Sequence, residues 1–347
     1  MQTVNSQKNL IMLAAFVVVV GGMKIAAPLL VPLLLALFLA ILIASPYSWL
    51  QTRGLPAWLA LVCVLLVFFT MVFLVGSLIG SSAQDLSRQF PVYQERLQDM
   101  TTGMFDWLAD KGLNFSITSI SEYLDPGKVM SVSANILGGM QNLLTNSFLI
   151  ILTTIFILVE IPNIPDKWRA GKAKPEQSLE HFKTAAANVN HYMGIKTITS
   201  LLTGIFIAFI LWLIGVDYPL LWGVIAFLLN FIPNIGSIIA AVPVILLALV
   251  QLGVGASLAT AGGYIAVNVL IGNVIEPKIM GKGLGLSTLV VFISLIFWGW
   301  VLGPVGMLLS VPLTIAVKIA LESNQQTRWI AVLLGPKIEA TNNSKTA

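Results

Sequence analysis

The chain has 347 residues, of which 57% are hydrophobic and 10% are charged, and its formal net charge is +4. An ordinary soluble domain carries about 25% charged residues, and several apolar runs here reach the roughly 20 residues that cross a bilayer. Composition therefore excludes a soluble protein and predicts an all-α polytopic membrane protein. Because the basic residues are not clustered into a stripe, we expect no nucleic-acid partner.

Residues 1–84 are predicted to form the N-terminal membrane helices, with two crossings within 9–50 and a long third crossing over 55–84. The composition then changes, because residues 85–146 are rich in Asp and Glu. Apolar residues recur at steps of three or four between Leu86 and Leu108, which is typical of an amphipathic helix. Ser119 and Glu122 have the spacing of a capping box. Residues 85–146 are therefore expected to be a small helical arm outside the membrane.

A fourth crossing is predicted over about 146–161, followed by a basic loop, so that 147–190 forms one segment. Lys and Arg are enriched in short cytoplasmic loops, and this bias places 163–189 in the cytoplasm. Counting crossings in both directions then puts the acidic arm in the periplasm and both chain termini in the cytoplasm. The tail over 321–347 has more Lys and Arg than Asp and Glu, which agrees with this orientation.

The region 191–320 contains a fifth crossing (about 192–214), a sixth (about 255–275) and two long apolar segments that are broken near their middles (220–250 and 287–320). Both broken segments carry a Trp-Gly pair, a Pro followed closely by Gly, and a later Val-Pro. This echo predicts two opposed helical hairpins beside about six crossings, as in the inverted repeats of secondary transporters. The alternative is that each segment is simply two short crossings.

The first break supplies polar groups in the middle of an apolar run. Pro233 removes a backbone donor and Gly236 permits a positive φ, while the side chains of Asn230, Asn234 and Ser237 offer donors and acceptors. Backbone at membrane depth must find partners in protein or in a water-filled cavity. These side chains are therefore expected to contact a polar solute, to cap the freed backbone, or to do both.

The sixth crossing ends on further polar residues, Asn268, Asn273 and Glu276. Intramembrane acids are costly and usually functional, so Glu276 is a candidate proton or cation handle. It could equally lie at the cytoplasmic interface and pair with Lys278 or Lys282. The predicted solute-binding residues are thus Asn230, Asn234, Ser237, Asn268, Asn273 and Glu276.

Other chemistry is not indicated by the sequence. His181 and His191 are ten residues apart without a carboxylate pattern, so no metal site is expected, and no nucleotide-binding or nucleophile motif is present. We therefore expect a non-enzymatic protein without a cofactor.

The segment PNIGS (233–237) and, above all, GNVIEPKIMGKGLGLSTLVVFISLIFWGWVLGPVGMLLSVPLT (272–314) resemble the autoinducer-2 exporter family, and the resemblance covers nearly the whole chain. It implies a homopentameric exporter of autoinducer-2, a small polyhydroxylated diketone, in the bacterial inner membrane. It also implies that two hairpins carry the solute by an elevator-like movement. The hairpin tips would then be Asn230 to Ser237, and Gly303 to Gly306 with Pro304 between them.

Two other functions remain open at this point. Relatives in the same superfamily exchange monovalent cations for protons, which would make Glu276 the coupling residue of an antiporter. A passive channel or a signalling scaffold, in which the acidic arm is the working part, is the third hypothesis.

Overall fold

The computed structural model describes residues 2–110, 147–163, 167, 169–170, 175–233, 235–280, 285–322 and 325–336. Within these ranges the chain is helical and contains no strand. The helices are α1 (Gln2–Ile25), α2 (Ala27–Thr52), α3 (Ala57–Asp110), α4 (Ser147–Glu160), α5 (Pro175–Ile214), α6 (Pro219–Leu229), α7 (Gly236–Leu252), α8 (Val254–Asn268), α9 (Glu276–Met280), α10 (Thr288–Leu302), α11 (Pro304–Leu308), α12 (Ser310–Glu322) and α13 (Arg328–Leu333). Asn234, Lys282 and the predicted capping box of Ser119 and Glu122 lie outside the described residues.

Four of the described helical stretches are long and apolar enough to cross a membrane: Ala27–Thr52, Ala57–Leu86, Ala186–Ile214 and Val254–Ile279. Shorter apolar stretches include Ala14–Ile25 and Ser147–Glu160, which coincide with the predicted first and fourth crossings. The all-α membrane class is therefore confirmed, whereas the number of crossings stays a prediction.

Two helices extend beyond the predicted crossings. α3 continues without interruption to Asp110, and Leu86 and Tyr93 on its predicted apolar face are buried. α5 begins at Pro175, inside the segment 163–189 that we expected to be a loop. Pro at the first helical position, followed by Glu, Gln, Leu, Lys and Ala, favours this earlier start, because these residues lose little freedom in a helix.

The chain divides into two compact units, each built from separate stretches of sequence. The first unit comprises Met1–Trp49, Phe148–Lys196 and Pro277–Ala347, and the second comprises Leu50–Ser147 and Thr197–Glu276. The two broken segments consequently belong to different units, 220–250 to the second and 287–320 to the first.

In the first unit, α1 packs against α10. Val20 lies in a buried cluster with Trp298, Val301 and Leu302, and the Lys24 ammonium lies 3.8 Å from the ring centroid of Trp300. Polar contacts join other helices of this unit. The Thr154 hydroxyl of α4 donates to the Ala36 carbonyl of α2 at 3.3 Å, and the Ser45 hydroxyl donates to Asn190 Oδ1 of α5 at 3.1 Å.

In the second unit, one apolar core is shared by α3, α5, α6, α7 and α8. Glycine allows a close approach in this core, where α5 meets α6. A Cβ placed on Gly223 would lie 2.7 Å from both the Gly204 carbonyl oxygen and the Ala208 Cβ. Close packing through small residues is typical of helix pairs in membranes.

Candidate functional site

The first broken segment is a tight helical hairpin. α6 has 11 residues and α7 has 17, corresponding to roughly 16 Å and 26 Å of helix, both short of a 30 Å hydrocarbon core. The turn between them is internally bonded, with the amides of Ile232 and Ile235 donating to the carbonyls of Leu229 (2.9 Å) and Pro233 (2.7 Å). Phe231 and Ile232 are buried. The turn is therefore part of the packed protein, and its own residues satisfy much of the freed backbone.

Gly236 is required at the start of α7 for a steric reason. A Cβ at this position would overlap the carbonyl oxygen and carbon of Leu229, the last residue of α6. The positive φ that the sequence suggested for this glycine is not observed, because the glycines with positive φ in the described part of the chain are Gly54, Gly215, Gly253, Gly285 and Gly303. Gly236 is thus required by the close approach of two helix ends.

One predicted site residue is held by a side chain of another helix. The Asn230 amide donates from Nδ2 to the Ser200 hydroxyl of α5 at 3.0 Å. Ser200 is fully buried, and because its oxygen accepts this bond, its O–H can donate to a further partner. The break in the first hairpin is therefore tied to the middle of α5 through a polar contact.

Ser200 belongs to a buried polar face of α5. Thr199 and Ser200 lie three and four residues after Lys196 and four and three residues before Thr203, so these four residues share one face of the helix, and all four are buried. The opposite face is apolar and exposed, as shown by Ile198, Leu201, Ile205, Phe209 and Trp212. A helix with polar residues inside and apolar residues outside is what a solute pathway in lipid requires.

Thr199, Ser200 and Thr203 are not among the site residues predicted from the sequence. Their signal was present in the string KTITSLLT, where a Lys and three hydroxyl residues recur at helical spacing inside an apolar crossing. Only the structure shows that this stripe is buried and that Asn230 reaches it.

The second broken segment, in the first unit, repeats the steric pattern. Gly303 ends α10 with φ 70°, which strongly favours glycine, and Pro304 begins α11. A Cβ on Gly306 would overlap the Trp298 carbonyl oxygen, as a Cβ on Gly236 would overlap that of Leu229. The indole N–H of Trp298 donates to the Thr314 hydroxyl at 3.0 Å, and this hydroxyl donates to the Ser310 carbonyl at 2.7 Å.

Asn268 and Glu276 flank a π-helical segment, Val269–Ile275, which contains Asn273. The Glu276 amide donates to the Ile271 carbonyl, the five-residue step that defines this geometry. Residues five apart are closer to one face here than in an α-helix, which brings Asn268 and Asn273 nearer in orientation. Asn268 and Glu276 are half-buried and Asn273 is exposed, and Ser237 is half-buried in the first turn of α7.

A second polar contact in the second unit joins α3 to the open end of the first hairpin, where α6 begins and α7 ends. The Tyr93 hydroxyl donates to Asp217 Oδ2 at 2.7 Å, and the Asp217 amide donates to Gln251 Oε1 at 2.9 Å. Burial raises the pKa of Tyr93, and the hydrogen bond to Asp217 raises this pKa further. Tyr93 therefore stays a neutral donor at ordinary pH. The cluster connects α3, the α5–α6 loop and the end of α7.

The comparisons with known proteins agree on one family. The family model described as "AI-2E family transporter" matches residues 13–326. The chain is 40% identical over 332 residues to "AI-2 transport protein TqsA" of Escherichia coli (strain K12), with 96% of both chains covered. It is 43% identical over 341 residues to a "putative transport protein" of Haemophilus influenzae, covering 95% of this chain and 97% of the relative. The described part of the chain is a helical membrane protein, and the chain belongs to the AI-2E family of transporters.

Proposed function

We propose that the protein is a secondary transporter that exports autoinducer-2 across the bacterial inner membrane. The observation that carries this proposal is the buried polar face of α5, which is joined to the broken hairpin by the Ser200–Asn230 hydrogen bond. The name of the E. coli relative supplies the cargo. A small polyhydroxylated solute suits hydroxyl and amide side chains, because these groups can donate and accept hydrogen bonds without a fixed charge.

The solute contacts form the finer part of the proposal. Asn230, Asn234, Ser237, Asn268, Asn273 and Glu276 would contact solute, all within the second unit. Pro233, Gly236, Gly303, Pro304 and Gly306 would shape the hairpin tips. Movement would be elevator-like, in a homopentamer with both termini in the cytoplasm. The short helices on either side of each break support hairpins rather than full crossings.

Transport in everted inner-membrane vesicles tests the cargo. Vesicles that contain the protein should accumulate autoinducer-2 faster than vesicles prepared without it, because the cytoplasmic face is then outside. Ser200→Ala removes the acceptor for Asn230 and should reduce the rate by about tenfold, since a hydrogen bond of roughly 1 kcal/mol is lost and the Asn230 amide is left without this partner. Equal accumulation in protein-containing and empty vesicles would rule out the proposed cargo.

Ser45→Ala is the matched control for the Ser200 variant. It also removes a hydrogen bond between a Ser hydroxyl and an Asn side chain of α5, but Ser45 is exposed and lies in the first unit. We expect nearly unchanged transport. A loss of transport equal to that of Ser200→Ala would mean that losing any hydrogen bond between helices slows transport. The polar face of α5 would then have no particular role in transport.

Cation/proton antiport is the second candidate, favoured by the half-buried Glu276 at the end of a π-helical segment. Such segments frequently occur at functional sites. Glu276→Gln keeps the shape and removes the charge. Under antiport it should abolish Na⁺- or Li⁺-driven proton movement in everted vesicles, measured with a pH-sensitive dye. Unchanged exchange in the variant would exclude this role of Glu276.

A further inference from the structure

Two buried side-chain polar atoms in the described part of the chain have no hydrogen-bond partner, Trp222 Nε1 and Thr260 Oγ1. Trp222 lies in α6, the first helix of the broken segment, and is 2% exposed. A buried donor without a partner destabilises the folded state, and nearly all buried polar groups avoid this. The indole N–H of Trp222 therefore requires a functional explanation.

The second broken segment contains a tryptophan whose indole N–H has a structural partner. Trp222-Gly223 and Trp298-Gly299 are the two Trp-Gly pairs of the repeat. Trp298 is also buried, and its N–H donates to Thr314 at 3.0 Å within the same hairpin. This donor is satisfied by the fold itself.

The first segment does not repeat the spacing that gives Trp298 its acceptor. Trp298 lies 14 residues before Pro312, whereas Trp222 lies 21 residues before Pro243. The residue two positions after Pro243 is Ile245, which has no side-chain oxygen, and the Trp222 Nε1 atom has no partner in the described part of the chain. The indole N–H of Trp222 is thus not satisfied by the fold in the way that the N–H of Trp298 is.

Trp222 also lies on the same side of α6 as Asn230, which contacts the buried polar face of α5. Trp222, Ala226 and Asn230 follow at four-residue steps, so they share a side of the helix, with about 12 Å between the first and the last. Ala226 is buried and carries only a methyl group. The next residue, Gly223, packs against α5 at Gly204 and Ala208. The indole therefore lies two turns from the Asn230–Ser200 contact, along the helix that contacts α5.

We propose that the Trp222 indole N–H donates a hydrogen bond to an oxygen of the transported solute. Indole can only donate, so the ligand group is an acceptor, a carbonyl or hydroxyl oxygen of a small polar molecule. This inference rests on the proposed export function and adds a specificity-determining donor to it. Trp298, in the Trp-Gly pair of the other segment, has a structural role instead.

The test replaces Trp222 by 3-benzothienylalanine, which keeps the bicyclic ring and lacks the N–H, with the same replacement at Trp298 as matched control. In everted vesicles the KM for autoinducer-2 should rise roughly three- to tenfold for the Trp222 variant, at nearly unchanged maximal rate. The melting temperature of this ligand-free variant in detergent should equal or exceed that of the wild type, because the variant lacks a buried donor without a partner. The Trp298 variant should keep the wild-type KM and melt at a temperature lower by about 3 °C.

A wild-type KM in the Trp222 variant would overturn the inference and leave the proposed export intact. A fall in melting temperature equal to that of the Trp298 variant would also overturn it, since it would reveal a structural partner. If wild-type vesicles accumulate no autoinducer-2, the proposed function fails, and the donor role for this cargo fails with it.

Discussion

Two threonines make the same local hydrogen bond in opposite surroundings. Thr203 donates to the Thr199 carbonyl at 2.9 Å on the buried face of α5, and Thr70 donates to the Leu66 carbonyl at 2.8 Å on the exposed face of α3. Both bonds join residues four apart in a helix, so their local effects on helix stability should be similar. What differs is access to the interior, where the oxygen of Thr203 can accept a bond from a solute.

If autoinducer-2 passes the buried face of α5 as proposed, Thr203→Val should lower its transport about three- to tenfold, because the change removes one polar group from that face while preserving side-chain shape. Initial rates in everted vesicles, normalised to the amount of protein, measure the effect. Thr70→Val is the control and should leave transport unchanged. Similar rates in the two variants would contradict a solute-lining role for Thr203.

Gly236 gives a second expectation at the residue scale. Gly236→Ala places a methyl group against the Leu229 carbonyl, so the hairpin must open, at a cost of roughly 1–3 kcal/mol. Gly262→Ala on α8 meets nothing within 4 Å and should gain stability through helix propensity. Thermal melting in detergent distinguishes the two. A Gly236→Ala protein as stable as the wild type would show that the tight turn is dispensable.

At the scale of elements, α3 anchors the hairpin from outside the apolar stretch that ends at Leu86. The Tyr93–Asp217 bond fixes the α5–α6 loop, and Gln251 fixes the end of α7 to the same loop. Tyr218 in this loop has φ 58°, an uncommon conformation for a residue with a Cβ, so the loop is held by its contacts. A long helix thus constrains both ends of one hairpin.

Tyr93→Phe should loosen this loop and speed amide exchange at residues 215–218, while expression and helicity stay near wild type. The raised pKa of Tyr93 also sets a direction for pH. Below the ordinary value of 10.0 the stabilisation is fully present, and it is lost as pH rises through the higher pKa of the folded state. Wild type should therefore lose more melting temperature than Tyr93→Phe above pH 10. Parallel curves for the two proteins would contradict the contribution of the Tyr93–Asp217 bond.

The helices could be predicted from the sequence, because the length of an apolar run and its breaks at Pro and Gly are local properties. The four long apolar stretches and both breaks fall where the pattern predicted them. The α5 polar face and the Tyr93–Asp217 bond were not readable, since a side chain's partner 30 or 124 residues away depends on packing. The sequence suggested a positive φ for Gly236, whereas the structure shows a close contact with the Leu229 carbonyl, which also depends on packing.

At the scale of the whole molecule, each unit contains one broken segment. Their shared features, a Trp-Gly pair and a glycine pressed against a carbonyl, support a common origin for the two hairpins. Their differences indicate separate tasks, because the first is joined to a polar helix face and the second has its tryptophan satisfied internally.

Single cysteines at the two tips test whether both hairpins are buried. In a Cys63→Ser background, Asn234→Cys and Val305→Cys should react weakly with a charged maleimide from either side of the membrane. Glu95→Cys and Gln325→Cys, both at exposed positions, are controls expected to react from the periplasmic and the cytoplasmic side respectively. Strong one-sided labelling of both tips would favour ordinary loops and count against opposed hairpins.

The π-helical segment Val269–Ile275 affects the direction in which Glu276, the residue after it, points around the helix axis. A wide turn holds one residue more than an α-helical turn, so it is equivalent to a single inserted residue. Deleting Gly272, whose Cβ position meets nothing within 4 Å, would let the segment rewind as α-helix and keep Glu276 close to its present direction, whereas rewinding without a deletion would rotate Glu276 by about 100°. The direction in which this carboxylate points thus depends on the wide turn and its extra residue together, because losing the wide turn alone would redirect Glu276.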